Sequence, residues 1–185
     1  MQYTKLNVGS RDEIKPEPWM NIDLEYLKPR PNYIQMDVFD MPTTWNNQFE
    51  EIHAVHVLEH INRNRRQEFV NALFRVTKPG GICYIEVPDF LTICRRLVNA
   101  FETGDREAEH RWTTSIYGKQ RSPGDQHCWG FNFWTLAELG QQAGFIDTDV
   151  AVSNIFSPVY RYSAKDMISS HYKQEPILLF RGRKP

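Results

Sequence analysis

The block from Phe49 to Pro88 constrains the fold more than any other part of this chain. FEEIHAV alternates, as a half-buried strand does, and we read a strand over Phe49–Val57. Phe69, Val70, Leu73 and Val76 then share one helical face, and Asn64 with Gln67 resembles a capping box at that helix's start. Pro79-Gly80-Gly81 ends the helix, and Ile82–Val87 is an apolar run bounded by Pro88. The start of the block also spells His56-Val57-Leu58-Glu59-His60, an H-x-x-E-H pattern in which two histidines on one helical face can hold zinc.

Around the block, strand-like and helix-like stretches alternate, which points to an α/β fold with a parallel sheet. Lys5–Gly9, Trp19–Tyr26 and Tyr33–Val38 read as three strands before it. Leu91–Phe101 repeats a helical pattern through Cys94, Leu97, Val98 and Phe101. Thr135 and Glu138 suggest a capped helix that stops at Gly144, where a left-handed residue is wanted. Asp147–Val152 and Pro176–Arg181 follow without a crossover helix, which suggests an antiparallel pair at the sheet edge. Thr103–Phe133 and Ser153–Gln174 lack periodicity. The first holds Trp112, Tyr117, Trp129, Phe131 and Phe133, too many aromatics for disorder, and residues 103–133 are expected to form a packed lid or substrate insertion.

The 185 residues suit one domain, 1–185. With 22 Lys+Arg against 23 Asp+Glu and no basic run, nucleic acid is not favoured as a partner. No signal segment and no apolar stretch of membrane-spanning length is present, so a soluble, cytoplasmic protein is expected. Three cysteines without framework spacing agree, and Cys83 and Cys94 read as buried thiols in a reducing compartment. Oligomeric state is not encoded legibly.

In an open α/β sheet, ligands bind beyond the carboxyl ends of the strands. Those ends are Gly9-Ser10, Asp23-Leu24, Asp37-Val38 and His56-Val57. An acid at the end of the second strand can accept hydrogen bonds from both hydroxyls of a ribose. An acid after the third can accept one from an adenine amino group.

With these residues in this order the chain resembles the class I S-adenosylmethionine-dependent methyltransferases. LNVGS, WMNIDL, MDVFDMP, FEEIHAVHVLEHI and LFRVTKPGGICYIEVPD follow that family's motif order over roughly residues 5–150. HCWGFNFWTLAELGQQAGF is similar to its late segment. The resemblance implies a Rossmann-like, doubly wound, mostly parallel seven-stranded sheet with an antiparallel edge strand. It implies S-adenosylmethionine as cofactor, S-adenosylhomocysteine as product, and methyl transfer to an oxygen or nitrogen of a small-molecule or sugar-like acceptor. Gly9 and Ser10 would lie by the methionine part, Asp23 and Leu24 by the ribose, and Asp37 and Val38 by the adenine. His56 and Val57 would border the sulfonium. The usual glycine-rich turn is reduced to Gly9-Ser10-Arg11, as in a subgroup with a shortened first loop, and Arg11 or Lys15 would then serve the cofactor carboxylate.

Two other readings stay beside this one. A degenerate cofactor-binding module without catalysis fits the reduced turn. A zinc hydrolase needs His56 and His60 on one helix, whereas FEEIHAV puts His56 at a strand end, so no metal is assigned. His110, His127 and Cys128 match no common zinc spacing. His127, in the expected lid, reads either as a neutral imidazole taking a proton from the acceptor or as a hydrogen-bonded anchor of the loop. His127 and His56 are therefore the candidate catalytic residues.

Overall fold

The computed structural model describes residues 3–11, 13–25, 30–122, 124–153 and 175–185. Seven strands form one sheet: β1 (Lys5–Val8), β2 (Trp19–Asp23), β3 (Tyr33–Gln35), β4 (Phe49–Val55), β5 (Thr77–Pro88), β6 (Ile146–Ser153) and β7 (Ile177–Arg183). Among the described residues four α-helices accompany them: α1 (Arg66–Val76), α2 (Phe90–Thr103), α3 (Arg106–Tyr117) and α4 (Phe133–Ala143). The spatial order is β3-β2-β1-β4-β5-β7-β6. β1 to β5 run parallel, and β7 runs against both β5 and β6. The expected antiparallel pair at the edge is therefore β6 with β7, and β7 is its reversed member.

Strand alternation makes the sheet two-faced. Leu6, Val8, Ile22, Ile52, Ala54, Cys83, Ile85 and Val87 join the core cluster with Phe69, Val70, Leu73 and Val76 of α1 and Leu136 and Leu139 of α4. Gly140 lets α4 approach closely, since a Cβ there would lie 2.2 Å from the Phe180 ring. The alternate positions carry Asn7, Asn21, His53 and Glu86, all buried. The link from β1 to β2 holds no helix among its described residues, and its backbone satisfies the two asparagines. The Asn7 amide donates to Glu13 O at 3.0 Å, and the Asn21 amide to Lys15 O at 2.9 Å.

Several boundaries differ from the sequence reading. β2 and β3 stop at Asp23 and Gln35, and Tyr26 lies outside the described residues. The Asn64–Gln67 box is not formed; Asn62 accepts from the Asn64 amide instead, and α1 begins at Arg66. Pro79-Gly80-Gly81 lies inside β5, because Thr77 already pairs with Phe49 across an irregularity in register. The box on α4 pairs Asn132 with Thr135 rather than Thr135 with Glu138.

Residues 106–117 form α3, within the stretch read as aperiodic. Its only buried residue is Trp112, too little for an apolar stripe to show. Trp112 packs with Ile93 and Ala100 of α2 in a second, small cluster. Cys83 is buried and Cys94 half-buried, both as free thiols. The aperiodic stretch Ser153–Gln174 lies outside the described residues beyond Ser153. Among the described residues no helix is long and apolar enough to cross a membrane.

Candidate active site

The strand order reverses direction between β1 and β4, so the crevice beyond their carboxyl ends is the expected ligand position. The Gly9 and Ser10 amides both donate to Ile22 O, at 2.9 and 3.2 Å, folding the chain over the end of β2. Gly9 takes φ +69°, and a Cβ there would lie 2.2 Å from Val57 Cγ2. This close approach brings the β1 and β4 ends together and requires glycine. The next residue leaves an unmet polar atom: the Ser10 hydroxyl oxygen is buried and has no partner.

Asp23 closes the crevice on the β2 side. It is buried, with one carboxylate oxygen accepting from the Arg11 amide at 2.8 Å and the other from the Glu25 amide at 2.9 Å. Each oxygen keeps a second lone pair. Leu24 beside it is 64% exposed. Asp37 caps the short turn Val38–Asp40 by accepting from the Phe39 amide at 3.0 Å, and Val38 is buried. The basic residues expected near a cofactor carboxylate are engaged elsewhere. The Arg11 guanidinium donates to Asp125 at 2.9 Å, and the Lys15 ammonium bonds the His53 ring.

His56 follows β4 with φ +52°, and its amide donates to Glu86 O at 3.0 Å. A helical turn of three residues, Leu58–His60, follows it and ends at Ile61. His56 and His60 thus do not share a helix, and the H-x-x-E-H zinc helix is not formed. His56 is instead clamped between two buried carboxylates, with Nδ1 3.1 Å from Glu59 Oε1 and Nε2 3.3 Å from Glu86 Oε1. Burial opposes its charge, but these two acids outweigh burial and raise its pKa well above the usual range. Burial also disfavours ionised Glu59, yet His56 holds its pKa below the ordinary value. The second oxygens of Glu59 and Glu86 are buried without partners.

The segment after α3 passes over this turn. The Cys128 and Trp129 amides donate to Glu59 O at 2.7 and 3.3 Å. His60 Nδ1–H donates to Gln126 O at 3.0 Å. The His127 ring hydrogen-bonds the Ser115 backbone and lies edge-on to His60, ring centroids 4.9 Å apart. Burial lowers the pKa of His127. Arg11 and Asp125 tie the same segment to the first loop.

Of the residues chosen from sequence, Gly9, Ser10, Asp23, His56 and Val57 lie at the ends of β1, β2 and β4. His127 meets His60 and Glu59 at the far side of the His56 turn. Tyr117 is 60% exposed, while Trp129 is half-buried with the Arg63 and Arg66 guanidiniums over its ring. Sequence reasoning passed over Glu86 and Glu13. Burial pushes Glu13 up to about 6. The signal for Glu86 was a charge inside the apolar run ICYIEVP.

A family model described as a methyltransferase domain matches residues 10–150. Among solved structures, a SAM-dependent methyltransferase from Archaeoglobus fulgidus aligns with TM-score 0.61 and 12% identity, covering 99% of this chain and 88% of that one. The 16S rRNA (adenine(1408)-N(1))-methyltransferase from Catenulisporales acidiphilia aligns with TM-score 0.56 and 14% identity, over 97% and 86%. The phosphoethanolamine N-methyltransferase 2 of Haemonchus contortus, solved with S-adenosyl-L-methionine, aligns with TM-score 0.53 and 13% identity, over 98% of this chain and 48% of its own. The chain thus spans about half the length of that enzyme. No curated protein matches the chain's sequence.

Proposed function

The chain belongs to the methyltransferase-domain family, and we propose that it moves a methyl group from S-adenosylmethionine to an oxygen or nitrogen of a small-molecule or sugar-like acceptor. The observation that carries this reading is the convergence of Gly9, Ser10, Asp23 and Val57 on one crevice, with a buried hydroxyl left unpaired there. Those features fit the cofactor: a backbone free of Cβ, an unmet donor and acceptor, and a pinned carboxylate with spare lone pairs.

Gly9 and Ser10 would receive the methionine part, Asp23 and Leu24 the ribose, and Asp37 and Val38 the adenine. Val57 and His56 would border the sulfonium. When bound, the cofactor supplies the methyl group: its S–C bond breaks as the acceptor's C–O or C–N bond forms, leaving S-adenosylhomocysteine. Positioning supplies most of the acceleration in such a displacement. His56, held charged by Glu59 and Glu86, is unsuited to accept a proton. Its part would be to fix Glu59 in place. His127, made less basic by burial, would be neutral near pH 7 and would accept the acceptor's proton. Residues 103–133 would form the acceptor-side cover of a single domain.

Calorimetry with S-adenosylmethionine and S-adenosylhomocysteine, followed by labelled methyl transfer to a panel of hydroxyl and amine acceptors, tests the proposal. Asp23→Ala is expected to weaken cofactor binding at least about tenfold, as expected for a lost charge-assisted pair. Undiminished binding would remove Asp23 from the site. Cofactor binding without turnover on any acceptor would leave the chain a binding module.

A further inference from the structure

We propose that Glu59, His60 and His127 form a site for a divalent transition-metal ion of the zinc class, whose open position takes the acceptor's oxygen. The ligand atoms of these three residues all lie within 4.8 Å of one another. They come from two separate places, the turn Leu58–His60 and the segment crossing it. Tetrahedral zinc with ligands at about 2.0–2.2 Å needs them about 3.4 Å apart. The site therefore closes by roughly an ångström when loaded.

Each member is already oriented by a second partner. His60 gives Nδ1–H to Gln126 O, leaving the Nε2 lone pair. His127 spends one ring nitrogen on the Ser115 backbone and keeps the other. Glu59 gives Oε1 to His56 and retains Oε2, which is buried and unpartnered. A buried carboxylate oxygen without a donor is costly unless a cation meets it. Histidine ligands held by backbone carbonyls through their other ring nitrogen are the usual support of a metal centre.

Two imidazoles and one carboxylate suit zinc, iron(II) or cobalt(II), with coordination left for an exogenous group. Beyond Glu59 and His127 a cleft of about 10 Å³, lined by Pro88, Phe90, Ile93 and Ser115, has room at that open position for a single water-sized oxygen ligand. This role for the ion rests on the methyl-transfer reading; binding of the ion does not. With the ion bound, His127 donates its one remaining lone pair to the metal and no longer serves as the base, the role it has without the ion. The acceptor hydroxyl, acidified by coordination, loses its proton to water before its oxygen takes the methyl group.

The test uses the whole chain, stripped with chelator and titrated with cobalt(II), read by its visible absorption, and with zinc by calorimetry. One ion per chain is expected. His60→Gln and His127→Gln should each weaken it at least about 100-fold, more than loss of an outer partner does. Glu59→Gln, which leaves a buried cluster short of one charge, is the third variant; the two histidine variants keep the test valid if it fails to fold. His110→Gln and Cys128→Ser should bind as the wild type does. Absence of a stoichiometric ion, or affinity unmoved by His60→Gln and His127→Gln, overturns the proposal. Cofactor calorimetry on the same samples separates the two ideas: cofactor binding without an ion rejects the metal site alone, and an ion without cofactor binding rejects the methyl-transfer reading alone.

Discussion

Gly9 concentrates two demands on one position, a left-handed backbone and a close approach to Val57. Left-handed φ costs a non-glycine residue about 1–2 kcal/mol, and overpacking typically adds about 1–3 kcal/mol. Gly9→Ala is therefore expected to lose about 2–5 kcal/mol of stability in denaturant titration. Adding Val57→Ala should recover the packing part only, because the Val57 Cβ already stands off at 3.4 Å. His53 makes a different kind of prediction. Burial lowers its pKa to about 4, while Nε2–H donates to Glu51 Oε1 at 2.7 Å and the ammonium of Lys15 meets the other nitrogen. Its folded pKa lies below its unfolded value of 6.5, so its contribution is complete above pH 6.5 and is lost as pH falls toward 4. That difference is worth about 3 kcal/mol. His53→Gln should flatten the fall in unfolding free energy over this window. Parallel pH curves for the two proteins would refute a neutral buried His53.

Helix ends were legible in kind and misassigned in residue. Gly144 ends α4 with φ +100°, as its position after the apolar pattern required. The start is set by Asn132, which accepts from the Thr135 amide at 3.0 Å while the Thr135 hydroxyl accepts from the Asn132 amide at 3.1 Å. Thr135 and Glu138 carry the right types at the right spacing, but Asn132 is an equally good cap one turn earlier, with the Thr135 hydroxyl standing in for the usual Glu or Gln. Only the path of the preceding bridge between Asp89 and Phe131 chooses between them. Asn132→Ala should cost about 1 kcal/mol in thermal or denaturant unfolding. Glu138→Ala, which loses only an exposed bond from Gln142, should change stability by less than about 0.5 kcal/mol. α3 was missed for a related reason: a helix that buries one tryptophan against a neighbouring helix leaves no stripe to read.

Across the whole molecule, the segment after α3 is fastened to the first loop by the Arg11–Asp125 pair and to the His56 turn by the amides of Cys128 and Trp129. Asp125 is buried; burial disfavours its charge, but the Arg121 amide and the Arg11 guanidinium outweigh that and hold its pKa low. Asp125→Ala should speed amide hydrogen exchange and proteolysis over residues 118–130 while leaving the exchange of β4 and β5 unchanged. Uniform acceleration across the sheet would mean that Asp125 supports the fold rather than the cover. The sheet and its order of motifs were determined by the sequence alone, because the periods of strands and helices and the glycine and proline stops are local properties. The same local signals located Asp23 and Gly9 at strand ends. The meeting of Glu59, His60 and His127 was decided only by tertiary structure, for His127 lies far along the chain from Glu59 and no spacing rule links them. The alternation of FEEIHAV already set His56 at a strand end, apart from a zinc helix. The bond from the His56 amide to Glu86 O and the left-handed turn at His56 split H-x-x-E-H, sending His56 to two buried acids and leaving Glu59 and His60 to face His127.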